Sequence, residues 1–340
     1  MADQPRKVIF LSPSGPTVKE IRETYTPQGS QSLVRVEYSG VNPADIKHAS
    51  IGMHSSVSGY DFADDKVFGQ NPAFPGRPIS LGAYQDFAIA DSDIFQLVLL
   101  PRMSMREAAV LPTATLTAAD GLFNVLALAF PSAGLQGAEA QSVLIWGGGG
   151  AVGVCAIQLA KAAGHGPIVV TASAKHHATL KELGADFYFD YSDTEVVVKV
   201  EAAVSGKRLS HVFNTVGAGV FAQGVEFEKS SVALAAKCES GSGDELKFGC
   251  LAGARGPEMD HVSRDAGWKI STPTTHATYA KEWPDRSKKA WAWVTANYGK
   301  GQFRIPNVRT VHGAEKGMEA MKWSAEGKSS LEKIVIEHPL

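Results

Sequence analysis

Leu144-Ile145-Trp146-Gly147-Gly148-Gly149-Gly150-Ala151-Val152-Gly153 is the stretch whose reading decides the fold. An apolar run ends in a glycine turn, and the turn opens into helix-forming sequence. Gly148, Gly150 and Gly153 stand at G-x-G-x-x-G spacing. Between a strand and a helix, the first glycine permits a tight turn and the second lets the backbone approach a pyrophosphate. The third lets the helix pack close to the strand. The first helical turn, with Ala151 and Val152, then faces the phosphates with its free amides. Glycine turns also serve plain strand-to-helix corners, so the flanking sequence decides between the two.

Working outward, the period alternates. Residues 142–146 read as a strand, 152–163 as a helix, 167–172 as a strand and 175–183 as a helix. A strand at 186–191, a helix at 196–204 and a strand at 211–214 follow. That alternation predicts a parallel sheet with crossover helices, an α/β Rossmann domain. Runs such as Val143-Leu144-Ile145-Trp146 are apolar throughout, as strands covered on both faces must be. The first hundred residues differ. Segments 7–11, 31–38 and 83–89 are β-rich, and a Pro- and Gly-containing loop occupies 71–78, which predicts an irregular, mainly β domain. Ser104 is an N-cap candidate for a helix from Met105, and 117–129 reads as a second helix. Near the end, 288–297 and 314–323 read as helices and 332–336 as a strand.

The second strand of the alternating region bears on the ligand. Dinucleotide sites that prefer an unphosphorylated ribose carry a carboxylate at its end. Here it ends Thr171-Ala172-Ser173-Ala174-Lys175-His176-His177, with no acid. A hydroxyl followed by Lys175 suits a 2′-phosphate instead, which predicts NADPH. The plainer alternative is that Ser173 caps the next helix and Lys175 is solvated.

Composition narrows the classes. The chain has 340 residues, 44% hydrophobic and 20% charged, with a net charge of −2, which fits a folded protein of about two domains. No basic stripe exists, so nucleic acid is excluded as a partner. The apolar run near the start, 8–11, is too short for a leader or a membrane span. Three irregularly spaced cysteines, Cys155, Cys238 and Cys250, give no disulfide framework, and a cytoplasmic location is expected.

Taken with Gln158-Leu159-Ala160-Lys161-Ala162-Ala163-Gly164, Leu183-Gly184-Ala185-Asp186 and Asp190-Tyr191, the glycine turn resembles the medium-chain dehydrogenase/reductase superfamily. Val41-Asn42-Pro43-Ala44-Asp45, Leu111-Pro112 with Thr117-Ala118, and the ending Glu326-Gly327-Lys328 to Glu332-Lys333-Ile334-Val335 extend the resemblance over nearly the whole chain. The branch it is most similar to is that of zinc-independent quinone oxidoreductases and enoyl reductases, among them fungal stand-alone enoyl reductases of polyketide synthesis.

The resemblance implies a GroES-like, mainly β domain over 1–112, a Rossmann NADP-binding domain over 113–285, and a segment 286–340 that completes the first. It places Asn42 and Thr117 near the nicotinamide, and Ser173, Lys175, Tyr191 and His176 around the 2′-phosphate. Lys47 falls where many quinone reductases carry a tyrosine facing cofactor and substrate. A carrier-bound acyl chain, delivered by a polyketide synthase, or a small free molecule is the implied substrate. Monomer and homodimer both occur among such proteins.

A catalytic zinc is not expected. No cysteine precedes Cys155 and no C-x-x-C occurs, and His48 and His54 have no soft ligands nearby. Without a metal, reduction of a C=C conjugated to a carbonyl is the favoured chemistry. Water or a side chain can deliver a proton to the α-carbon, and Lys47 and Tyr60 are the side-chain candidates.

One stretch departs from the family. Gly59-Tyr60-Asp61-Phe62-Ala63 runs almost directly into Asp64-Asp65-Lys66-Val67-Phe68-Gly69. About fifteen to twenty residues of the usual barrel are absent, which predicts exposed sheet edges and core surface. That shortening supports a second reading, a non-catalytic nucleotide-binding or scaffold protein. Detoxifying reduction of quinones or free enones is a third.

Overall fold

In the computed structural model the protein is described at residues 4–91, 96–98, 102–130, 140–204, 209–216, 227–238, 247–251, 269–271 and 285–340. Among these, one compact unit takes the residues up to Ala114 and from Arg304 to Leu340. The other takes those from Thr115 to Phe303.

The first unit opens with a hairpin of β1 (Arg6–Ser12) and β2 (Gly15–Ile21), in antiparallel register from Arg6↔Ile21 to Ser12↔Gly15. Residues 31–38 read as a single strand, but the structure divides them into β3 (Gln31–Arg35) and β4 (Tyr38–Val41). The cause is a change of partner. Val36 N donates to Asp86 O at 2.9 Å and Glu37 N to Ala63 O at 3.0 Å, so the chain leaves one sheet and enters another between them. Helix α1 (Ala44–Lys47) follows, then β5 (Ser56–Val57), β6 (Asp61–Ala63), β7 (Val67–Gln70), β8 (Phe87–Asp91) and β9 (Gln96–Val98). Helix α2 (Met105–Ala108) begins as expected at Ser104, in a capping box with Glu107.

The shortened region closes on itself. β6 pairs directly with β7, Phe62 opposite Gly69 and Ala63 opposite Phe68, and β9 covers the other edge of β7. Asp64 makes the turn tight, its Oδ1 accepting the Lys66 N–H at 2.8 Å and the Val67 N–H at 2.5 Å. Phe62, Ala63 and Phe68 are buried. The expectation of bared core at this point is therefore corrected, because a two-strand pairing replaces the absent residues.

Helix α3 (Pro112–Ala119) leads into the second unit. The helix expected over 117–129 starts earlier than that, and from Asp120 to Val125 it widens into π-helical turns. Gly121 within this segment packs directly on β13, since a Cβ there would fall 2.2 Å from the Phe213 ring. The alternating region then forms β10 (Ser142–Trp146), α4 (Ala151–Ala162), β11 (Ile168–Thr171), α5 (His177–Leu183), β12 (Phe187–Phe189), α6 (Val196–Ala203) and β13 (Leu209–Asn214). After these come α7 (Ser231–Lys237), β14 (Lys247–Cys250), β15 (Lys269–Ser271) and α8 (Asp285–Asn297).

All six strands are parallel, in the order β12-β11-β10-β13-β14-β15. Numbered from β10, that is 3-2-1-4-5-6, the order of dinucleotide-binding sheets, with its reversal between β10 and β13. The α/β fold class stands. The boundary at 286 moves, because α8 belongs to this unit. Ala290, Trp291 and Val294 are buried, and the helix packs on the π-helical segment, with Trp293 edge-on to Phe303 at 6.4 Å.

The chain returns to the first unit through β16 (Val308–His312), α9 (Gly313–Ala325) and β17 (Lys333–Glu337). β17 lies parallel to β16 on one side and antiparallel to β4 on the other, in a sheet ordered β16-β17-β4-β6-β7-β9. α9 covers it closely. A Cβ on Gly317 would stand 2.8 Å from both Ile9 and Ile336. Val8, Ile9, Val57, Met321, Ile334 and Ile336 fill the core between.

Candidate functional site

In the second unit the candidate residues gather at the carboxyl ends of β10 and β11. Gly147, one residue ahead of the motif, takes the left-handed conformation of the turn, with φ +97°. Gly148 is needed for a different reason from the one expected of it. A Cβ there would lie 2.1 Å from Val170 of β11, so close packing excludes any side chain. At Gly153 a Cβ would sit 2.4 Å from Gly147 O, the close helix-to-turn approach foreseen for it.

Gly150 has neither constraint. Its φ of −76° and ψ of 158° are open to any residue, and the nearest atom to an added Cβ is 3.5 Å away. Gly150 is also the N-cap of α4, so that helix has no side-chain cap. Ser104 and Ser230 supply such caps to α2 and α7. The first-turn amides at Ala151, Val152 and Gly153 thus lack a side-chain acceptor, beside space that a Cβ would fill. This arrangement fits the pyrophosphate of a dinucleotide. Thr215, not singled out from sequence, secures the turn by donating its hydroxyl to Trp146 O and Gly147 O, each at 2.9 Å.

Beyond β11, Ser173 Oγ donates to Tyr191 Oη at 3.4 Å, so two segments expected around a 2′-phosphate do meet. Lys175 and His176 lie on the 3₁₀ turn that follows Ser173. Lys175 has no carboxylate partner among the described residues. His176 Nε2 is buried without a partner, and desolvation followed by repulsion from Lys175 and His177 lowers its pKa. A carboxylate stands here after all, on the neighbouring strand exit. Asp190 Oδ2 accepts the Ala174 N–H at 3.0 Å, and hydrogen bonds from Ser192 hold the acid below the usual carboxylate range. Thr117 is buried inside α3 rather than at a helix start.

The first unit holds a buried polar cluster. Asn42 donates from Nδ2 to Asp61 Oδ2 at 2.9 Å, and its Oδ1 accepts from Lys333 Nζ at 2.6 Å. Both ends of this amide are therefore engaged within the chain, which makes Asn42 a brace for the Pro43–Lys47 segment. Asp61 Oδ1 accepts from Thr113 N at 3.0 Å and Thr113 Oγ1 at 2.6 Å. Asp45 Oδ2 accepts from Asn42 N at 2.7 Å and Tyr84 Oη at 2.5 Å. Burial pushes the Asp45 carboxyl up to about 7 and raises Asp61 as well, with Lys333 the main opposing influence on Asp61.

Next to this cluster, Tyr60 Oη and His48 Nδ1 are 2.8 Å apart, and the Arg77 guanidinium lies 4.7 Å from the Tyr60 ring centre. Burial holds His48 down to about 4, so its ring is neutral, and raises the Tyr60 phenol. Tyr60 and Arg77 line a small pocket with Met53, Ser56 and Phe74. Lys47 ends α1, next to His48, as an exposed side chain whose ammonium is nonetheless partly desolvated, which lowers its pKa. His48 had been considered only as a metal ligand. Its spacing from Tyr60 carries no signal in the sequence.

Residues 151–230 match the family of zinc-binding dehydrogenases. The trans-enoyl reductase tazE of Aspergillus terreus is 34% identical over 221 residues, 58% of this chain and 71% of that protein. Among solved structures, the CurK enoyl reductase has a TM-score of 0.76 at 17% identity, covering 99% of this chain and 100% of its own. The quinone oxidoreductase from Coxiella burnetii has a TM-score of 0.73 at 21% identity, with coverage of 99% and 100%. At those identities the structures speak for the shared fold.

Proposed function

The chain belongs to the trans-enoyl reductases of the medium-chain dehydrogenase/reductase superfamily, a family of oxidoreductases, and on that premise we propose that it reduces an activated C=C bond with NADPH. The observation that carries the cofactor half of this reading is Gly150. Nothing among the described residues requires a glycine there, and its missing side chain leaves room beside the uncapped start of α4.

When bound, NADPH supplies the hydride that adds to the β-carbon of the substrate. The amides of Ala151, Val152 and Gly153 hold the pyrophosphate, with Gly148 and Gly153 keeping turn and helix close. Ser173, Lys175, His176 and Tyr191 form the 2′-phosphate pocket. Thr117 contributes to the nicotinamide side, and Asn42 acts through the segment it braces. Tyr60 holds a proton at Oη against His48, and Lys47 holds one at Nζ. Either can pass it to the α-carbon as the enolate collapses.

No step calls on zinc. Cys155, Cys238 and Cys250 are buried, and among the described residues no group of three or more His, Cys, Asp or Glu is arranged around a metal position. The substrate class proposed is an α,β-unsaturated acyl thioester, presented on the carrier domain of a polyketide synthase. A scaffold role loses its main support, since the β6–β7 hairpin closes the shortened region.

The test is a fluorescence titration with NADPH and NADH of the protein and of Gly150→Ala and Lys175→Ala. Micromolar NADPH binding, weaker NADH binding, loss of both in Gly150→Ala and selective loss of NADPH in Lys175→Ala are expected. Turnover of an enoyl thioester should then survive a chelator. Equal affinity of Gly150→Ala for NADPH would remove the site from α4.

A further inference from the structure

Asp190 lies one residue beyond β12 and next to Tyr191. Its Oδ2 accepts the Ala174 N–H at 3.0 Å, from the turn that follows β11. Its Oδ1 accepts the Ser192 N–H at 2.9 Å and the Ser192 hydroxyl at 2.7 Å. Both oxygens are thus committed to donors of this chain.

We infer that Asp190 is a positioning residue for 2′-phosphate recognition: it clamps the Ser173–Lys175 turn to the exit of β12 and does not itself take the ribose. The inference rests on the NADPH reading above.

Ser173 and Lys175 flank Ala174, and Tyr191 follows Asp190, so the clamp lies between all three proposed phosphate ligands. Beyond the strand ladder, the side-chain link between the two segments is the Ser173–Tyr191 bond, which at 3.4 Å is too long to fix either partner. A charge-assisted bond from Asp190 to a backbone amide is the stronger tie. A carboxylate serving the ribose hydroxyls needs oxygens turned outward. Here they face Ala174 and Ser192. The negative charge that Asp190 brings is held chiefly by the two hydrogen bonds from Ser192 and the one from the Ala174 amide.

The experiment titrates the protein with NADPH and NADH, following nicotinamide fluorescence, for Asp190→Ala, Asp190→Asn, Lys175→Ala and Asp190→Ala/Lys175→Ala. Loss of the clamp should weaken NADPH binding about tenfold in Asp190→Ala. NADH, which has no 2′-phosphate to be gripped, should change by about twofold or less. Asparagine keeps one acceptor and should restore part of the loss, and being isosteric it preserves the comparison if alanine unsettles the fold. The double variant should bind NADPH less weakly than the product of the two single losses, because both act on one contact set.

A larger loss for NADH than for NADPH would make Asp190 a ribose ligand and overturn the inference. Tighter NADPH binding in Asp190→Ala and Asp190→Asn would reduce Asp190 to a repelling charge and overturn it equally. If the unmodified protein does not favour NADPH, the cofactor reading itself falls and takes this inference with it.

Discussion

Asparagine at position 45 keeps the shape of the side chain and removes its charge. The carboxyl it replaces is fully buried, and burial shifts it from 3.8 to about 7. A folded-state pKa above the unfolded one means that the folded protein binds the proton more tightly. Stability from this group therefore falls as pH rises from 3.8, and levels off above about 7. At 1.36 kcal/mol per unit, the window corresponds to about 4 kcal/mol.

The substitution has its own cost. The asparagine carbonyl can keep the bonds from Asn42 N and Tyr84 Oη, but its NH₂ takes the place of Oδ1, which has no partner. An unpaired buried amide costs about 1–3 kcal/mol. Asp45→Asn should therefore lie within about 1 kcal/mol of the parent near pH 5 and be more stable, by about 1–3 kcal/mol, at pH 8. Urea unfolding of both proteins at pH 5, 6, 7 and 8 in constant salt gives the difference directly. A stability difference that stays constant from pH 5 to 8 would show that Asp45 is ionised throughout, and the account of the buried cluster would be wrong.

Acid should act through His211 and His48, each of which burial holds down to about 4 against an ordinary value of 6.5. The unfolded chain takes up the proton first, so stability is lost as pH falls from 6.5 toward 4, by up to about 3 kcal/mol for each. Replacing His211 with asparagine should remove about half of that slope in the urea profile, His48 supplying the rest, and an unchanged slope would show that His211 does not contribute. Gly153→Ala and Gly150→Ala should separate in thermal melting. The first drives a Cβ to 2.4 Å from the Gly147 carbonyl and should cost about 2 kcal/mol or more. The second meets nothing nearer than 3.5 Å and should melt within a few degrees of the parent. Equal losses would mean that Gly150 serves the chain's own packing.

What could be read from the sequence was local. The run from Leu144 to Gly153 carries strand, turn and helix in consecutive residues, and β10 to β13 follow from the same alternation. The break between β3 and β4 escapes such reading, because Val36 and Glu37 differ only in which distant carbonyl each amide finds. Asp190 was missed because the acid expected of such sites stands at the end of β11, whereas the fold brings in the end of the next strand. The cluster of Asn42, Asp45, Asp61 and Lys333 draws on segments far apart in the chain, and each residue alone looks like an ordinary polar surface residue. Tyr60 was singled out but His48 was not joined to it. Their pairing depends on how α1 and β6 approach each other, which no periodicity encodes.

The place of β17 has a consequence for how the protein is made. On the ribosome, Asp45 and Asp61 emerge long before Lys333, the cation nearest to settling them, which follows only after the whole second unit. The parallel sheet can be completed first, from strands that follow one another in synthesis. The other sheet must wait with the edge of β4 bare, a strand edge open to any neighbouring chain. The nascent protein is thus most exposed to misassembly and proteolysis in the interval before β17 is inserted, and a substitution that hinders the pairing of β17 with β4 prolongs that interval.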